Sequence, residues 1–192
     1  MAIYTYVNEG LFRSKKEKQR MEQIQQILSE VNNPDNDGSQ IGADPVFFKK
    51  LKQRFTQFFD LLHFPPLYKS QNEWGDSIQQ VSGIKDNYTY NFSLNYNKDS
   101  ATMNRDYKTT ELNEKIPFEL YKDVYRFTGK TTHQLEVYKD LIILSPNGPL
   151  YEKKYRSEND VNKLFDLLQK RYGDQVTIER ESVFTIRVTP KK

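Results

Sequence analysis

Apolar side chains recur every three or four positions in the front third of the chain and every second position in its middle. That change of period separates helix from strand. Met21, Ile24, Ile27, Leu28 and Val31 form a narrow apolar stripe on an otherwise polar rod, which predicts a helix over residues 14–31. Ser14 and Glu17 make a capping box at its start, and Asn32-Asn33-Pro34 stops it. A second helix follows over residues 44–62. Asp44 can cap it, Pro45 suits its first turn, and Phe47, Phe48, Leu51, Phe55, Phe58, Phe59 and Leu62 form one broad apolar face. Pro65-Pro66 ends it.

Beyond residue 75 the period becomes two. Tyr88, Tyr90, Phe92, Leu94 and Tyr96 alternate with Thr89, Asn91, Ser93 and Asn95, the pattern of a strand with one aromatic face. Lys98-Asp99-Ser100 reads as a turn, and residues 101–111 as the returning partner. A short helix is expected at about 117–127, with Phe118, Tyr121, Val124 and Tyr125 inward. Residues 133–145 read as extended with a bend at Lys139-Asp140, residues 146–149 as a turn, and 150–155 as the return. Ser157 then caps a helix to Tyr172, Gly173 ends it, and residues 176–188 form a last extended segment. Residues 86–127 and 133–173 thus share an order of hairpin then helix, without residue identity to support a duplication.

Together these elements predict an α+β fold: an antiparallel sheet with helices packed on one face, preceded by an N-terminal helical pair. Residues 1–66 read as the helical hairpin region and 67–192 as the sheet domain, joined in one compact unit. The 192-residue length fits this. Mean hydropathy is low, but 13 Tyr and 12 Phe supply the buried area that disordered chains lack.

Charge adds little direction, since the formal net charge is only +3 and both signs are mixed along the chain. The absence of cysteine excludes disulfides, thiolate nucleophiles and Cys-ligated metal sites. The first residues carry no secretory pattern, and no apolar run approaches the ~20 residues that span a bilayer. A cytoplasmic location is the expectation, and the glycosylation sequons at Asn87 and Asn91 are read as chance.

Several segments invite chemistry. From Asn33 the sequence resembles an EF-hand calcium loop, with Asn33, Asp35 and Asp37 at alternate positions, Gly38 at the turn and Asp44 at the twelfth place. Asn at the first position, Pro34 at the second and the shorter Asp44 depart from that pattern. A polar helix–helix connection is therefore the preferred reading, with calcium as the lesser one. Lys15, Lys16, Lys18 and Arg20, with Lys49, Lys50, Lys52 and Arg54, could meet nucleic-acid phosphates, although a core helix with solvated lysines explains the second group as well. The aromatic strand could stack bases, but a face of five aromatic and apolar residues suits a core better. Gly129-Lys130-Thr131 lacks the first glycine of a phosphate loop. Glu179-Arg180-Glu181 resembles the charge alternation of polyphosphate tunnels but lacks their lysine, and suits a guarded edge strand. Neither His63, at the end of an apolar helix, nor His133 has a Ser or carboxylate at interpretable spacing.

The expected function is that of a non-catalytic interaction or regulatory protein of the cell interior, in contact with another protein or with itself. Nucleic-acid binding through the basic N-terminal helices is the alternative, and an enzyme built on Asp, Glu, Tyr and Lys is the third reading.

Overall fold

The computed structural model describes residues 15–32, 45–66, 77–97, 99–103, 108–146 and 150–192, without the side chains of residues 77 and 150–156. It is an α+β fold with two antiparallel sheets and an N-terminal helical pair. The helices are α1 (Lys15–Val31), α2 (Pro45–Phe58), α3 (Phe118–Thr128) and α4 (Leu150–Tyr172). Strands β1 (Leu61–His63), β2 (Ser77–Lys85), β3 (Tyr88–Tyr96), β4 (Ala101–Met103) and β5 (Lys108–Glu111) form the first sheet. Strands β6 (His133–Val137), β7 (Leu141–Pro146), β8 (Val176–Ser182) and β9 (Thr185–Pro190) form the second, in the order β6-β7-β9-β8.

The alternation in β3 places Tyr90, Phe92, Leu94 and Tyr96 under the helical pair, each no more than 2% exposed. Burying a side chain of this size stabilises the fold by about 1.5–3 kcal/mol. Phe47 meets Tyr96, Phe55 meets Phe92, and Phe59 meets Tyr90, at ring separations of 6.4, 5.9 and 5.9 Å. Helix α2 therefore runs opposite to β3. Helix α1 runs with it, because Arg20 lies over Tyr88 while Asn32 bonds both backbone groups of Ala101. The aromatic face is core, so it is no platform for stacked bases.

Strands β2 and β3 are joined by Asp86 and Asn87, both at positive φ (49° and 66°), the backbone of a tight mirror-image hairpin turn. Asp and Asn tolerate that region better than most residues. Gly83 of β2 faces Tyr90 across the ladder, and a Cβ there would lie 2.6 Å from the Phe59 ring. Glycine lets α2's end settle onto the sheet.

The opposite face of the same hairpin is also covered. Ser82 and Asn91 are cross-strand partners on that face and both are buried. The Asn91 carboxamide donates to the Val137 carbonyl at 2.9 Å and accepts the Val137 N–H at 3.1 Å. It thereby serves as a side-chain rung on the outer edge of β6. Ser82 Oγ donates to Asn91 Oδ1 at 3.0 Å, so the Tyr125 hydroxyl, 2.9 Å away, must donate to Ser82. Beyond this seam lies the second core, built from α3, α4 and the second sheet, with Ile84 of β2 included in it.

Five details of the sequence reading change. The second helix ends at Phe58, and Leu61–His63 pair with β2 as a strand. Residues 150–157 are helical, because Leu150 to Tyr172 contains no Gly or Pro to interrupt one continuous helix. The bend at Lys139-Asp140 is instead the turn of the β6–β7 hairpin, closed by Tyr138 N–H on Leu141 O at 2.7 Å. Residues 176–188 fold back as the β8–β9 hairpin, and Phe118 points outward at 38% exposure.

Asn91→Ala would leave the buried Val137 N–H and C=O without partners. Urea unfolding should show a loss of about 2–5 kcal/mol, the cost of stranding two buried backbone groups. A loss under about 1 kcal/mol would mean that the seam does not depend on this amide.

Candidate functional site

The segment leaving α2 has little freedom. Asp60 N–H donates to Ile84 O at 2.8 Å, and β1 then pairs Leu61, Leu62 and His63 with Ile84, Gly83 and Ser82. On the other side of the seam, α3 ends in a series of tight turns, with Gly129 N–H on Tyr125 O and Thr131 N–H on Thr128 O at 2.9 and 3.0 Å. Between them lies a cleft of about 800 Å³. The unbroken run Phe59 to Pro66 forms one wall, with Lys52 and Thr56 above it. Lys122, Tyr125 and Arg126 of α3 and the turn residues 129–132 form the other.

Electrostatically the cleft is positive. Among the described residues its one lining carboxylate, Asp60, already accepts the Asp86 N–H at 2.9 Å and sits 3.9 Å from Lys85 Nζ. Lys122 is held by Glu119 at 2.7 Å. Among the described residues Arg126 makes a long contact of 3.5 Å to Asp123, and its side chain is 67% exposed. Asp123 is occupied elsewhere. Burial alone would raise its pKa, but hydrogen bonds from Tyr172 (2.6 Å) and Arg171 (2.9 Å) outweigh that and hold it below the usual carboxylate value. Those bonds tie α3 to the end of α4. Lys52 and Lys130, both exposed, form no ion pair with the described residues.

Both histidines sit at the floor of the seam. The His63 ring, 4% exposed, places Nε2 2.7 Å from the His133 carbonyl, so Nε2 carries the proton and donates. His63 is thus a buried strand residue joining the two sheets, not the end of a helix. The His133 ring is also buried, 3.9 Å from Asp160 and beside the Ser157 backbone. Burial lowers both pKa values below 6.5.

The basic residues proposed for nucleic acid are not gathered into one patch. Lys15, Lys16 and Lys18 are exposed on the first turns of α1, which lead to the Tyr88 end of β3. Lys49 and Lys50 are exposed near the Tyr96 end. Arg20 is 8% exposed and committed to Asp86 (3.2 Å) and the Tyr88 ring (4.7 Å). Arg54 pairs with Glu30. Of the eight, only Lys52 lines the cleft. The EF-hand-like residues Asn33, Asp35, Asp37 and Asp44 lie outside the described residues, and among the described ones no cluster of three or more His, Asp or Glu could hold a metal. Gly129-Lys130-Thr131 follows a helix, whereas a phosphate loop precedes one. Glu179 to Glu181 occupy β8, an edge strand of the second sheet. Among the described residues no helix is long and apolar enough to cross a membrane.

Sequence reasoning missed Arg126, Lys130 and the β1 wall. One signal was present: Lys122, Arg126 and Lys130 recur at every fourth position, which sets them on one side of α3 and its continuation.

The seam histidines generate a pH dependence. Each is kept neutral in the folded state while the unfolded chain protonates near 6.5. Their contribution is therefore complete above pH 6.5 and is lost as pH falls toward the lower folded values. Thermal unfolding between pH 7.5 and 5 should show a falling Tm, and the His63→Gln/His133→Gln double variant should flatten that slope. An unchanged slope would remove the histidines as its cause. No protein-family model, curated protein or solved structure matches this chain, so the geometry of the seam and its cleft is what the functional reading rests on.

Proposed function

We propose that this protein acts through protein–protein contacts made at the cleft between α2–β1 and the end of α3, as a non-catalytic interaction or regulatory protein of the cytoplasm. The observation that carries this reading is the make-up of the cleft walls. The half-buried Leu62 and the edges of the buried Phe59, Phe64, Pro65 and Tyr125 lie beside Lys52, Arg126 and Lys130. Aromatic and arginine residues of this kind supply most of the energy at protein interfaces. Among the described lining residues, His63 is committed to the His133 carbonyl and Asp60 to the Asp86 N–H, so both serve the fold. The buried seam fixes both walls, so little ordering cost is left for binding. A cysteine-free chain suits a reducing compartment.

Nucleic-acid binding through the N-terminal helices has less support, since Arg20 and Arg54 are internally paired and the lysine groups face opposite ends of the sheet.

A photo-crosslinking amino acid at Thr132, which is exposed and lines the cleft, provides the test, with Glu179 on the far edge strand as control. Illumination in cells should yield a discrete adduct at position 132 that protease removes and nuclease does not, and little at 179. Its mass separates another protein from a second copy of this chain. Adducts sensitive to nuclease, equal labelling at both positions, or none at either would overturn the proposal.

A further inference from the structure

The run of residues along the β1 wall specifies more than a surface. A cleft lying against one face of a strand is lined by alternate residues, because successive side chains point to opposite faces. Here Phe59 through Pro66 line the cleft without a gap. The cleft therefore follows the edge of β1. That strand is terminal in the sheet order, with β2 on one side only. An antiparallel ladder turns alternate backbone N–H and C=O groups away from its partner strand. Among the described residues, no backbone–backbone hydrogen bond beyond the ladder to β2 involves Leu61, Leu62 or His63. An open edge of this kind is a template for another strand. Arg126 and Lys130 across from it, and Lys52 above the same wall, supply positive charge, of which only Arg126 meets a described acid, Asp123 at 3.5 Å.

Resting on the protein-binding reading above, we infer that the cleft receives an extended, acidic segment of a partner protein, added as a strand to the outer edge of β1. Main-chain hydrogen bonds would give affinity, as in other strand-addition complexes. Alternate carboxylates would meet Lys52, Arg126 and Lys130, while the intervening side chains rest on Phe64, Pro65 and Tyr125. A nucleic-acid duplex suits the site less well, because it has no use for an unpaired β-edge. The short edge and the Pro65-Pro66 stop limit the added strand to a few residues, so the charges must supply much of the selectivity.

The probes are a fluorescein-labelled peptide of alternating Glu and Val, its Lys–Val counterpart, two versions of the acidic peptide N-methylated on alternate residues in either register, and a single-stranded oligothymidylate. Fluorescence anisotropy with the full chain should show binding of the acidic peptide only. One N-methylated register should bind at least tenfold more weakly than the other, since only one removes N–H groups from the ladder. Lys52→Glu/Lys130→Glu and the milder Lys52→Gln/Lys130→Gln should each weaken the acidic peptide, the first by tenfold or more. Lys15→Glu/Lys16→Glu on α1 should leave it unchanged. No binding of the acidic peptide, equal binding of both N-methylated registers, or equal loss in the α1 variant would overturn the inference. If a protein adduct at Thr132 survives that result, the interaction reading stands and only the occupant is wrong. Preferred binding of the oligonucleotide, with a nuclease-sensitive adduct, would remove both.

Discussion

The structure turns on one side-chain amide. Asn91 projects from the middle of a strand whose other face is filled with aromatic rings, and it satisfies both backbone groups of Val137 in the neighbouring sheet. A carboxamide carries a donor and an acceptor at about the separation found in a peptide unit. It can therefore pair with a strand edge where no second strand is available. Buried polar groups are costly when unpaired and specific when fully paired. Ser82 and Tyr125 complete the pairing, and His63 repeats the device nearby by bonding the His133 carbonyl. Two hydrophobic cores are thereby held in a defined relation by a handful of hydrogen bonds.

Much of the fold was legible because some segments face a single environment. Helix α2 and strand β3 each carry large apolar residues on one side, and their periods, 3.6 and 2, are unmistakable. Strand β2 was not legible. Its apolar residues Ile78, Val81 and Ile84 fall three apart, because Val81 serves the first core and Ile84 the second. Gln79 and Ser82 are buried as hydrogen-bonding partners. A strand that serves two cores loses the alternation by which strands are recognised. The polar row of β3 misled for a related reason, since Thr89 and Asn91 resemble solvent-facing residues and are buried, Thr89 beside Thr110 of its own sheet and Asn91 against Val137 of the second.

The cleft was less legible still. Its walls come from segments around residues 52–66 and 122–132, brought together by contacts such as His63 to His133 across 70 positions. No local pattern reports such a meeting. Only the fourfold spacing of cations in and after α3 hinted at one wall. The seam and the cleft have a common cause: where the terminal strand of one sheet stops short of the next unit, the buried part of the gap is closed by side-chain hydrogen bonds and the exposed part stays open.

The two-faced hairpin also governs how the chain can go wrong. In a hairpin whose second face met only water, a slip of one position would expose one row and could be tolerated for a time. Here a slip of β3 against β2 would send a carboxamide among the phenylalanines and a phenol ring into the hydrogen-bonded joint, penalising both cores at once. The Asp86-Asn87 turn is held in place by Arg20, Asp60 and Leu112, so the proofreading of strand alignment begins at the point where the two strands are first joined.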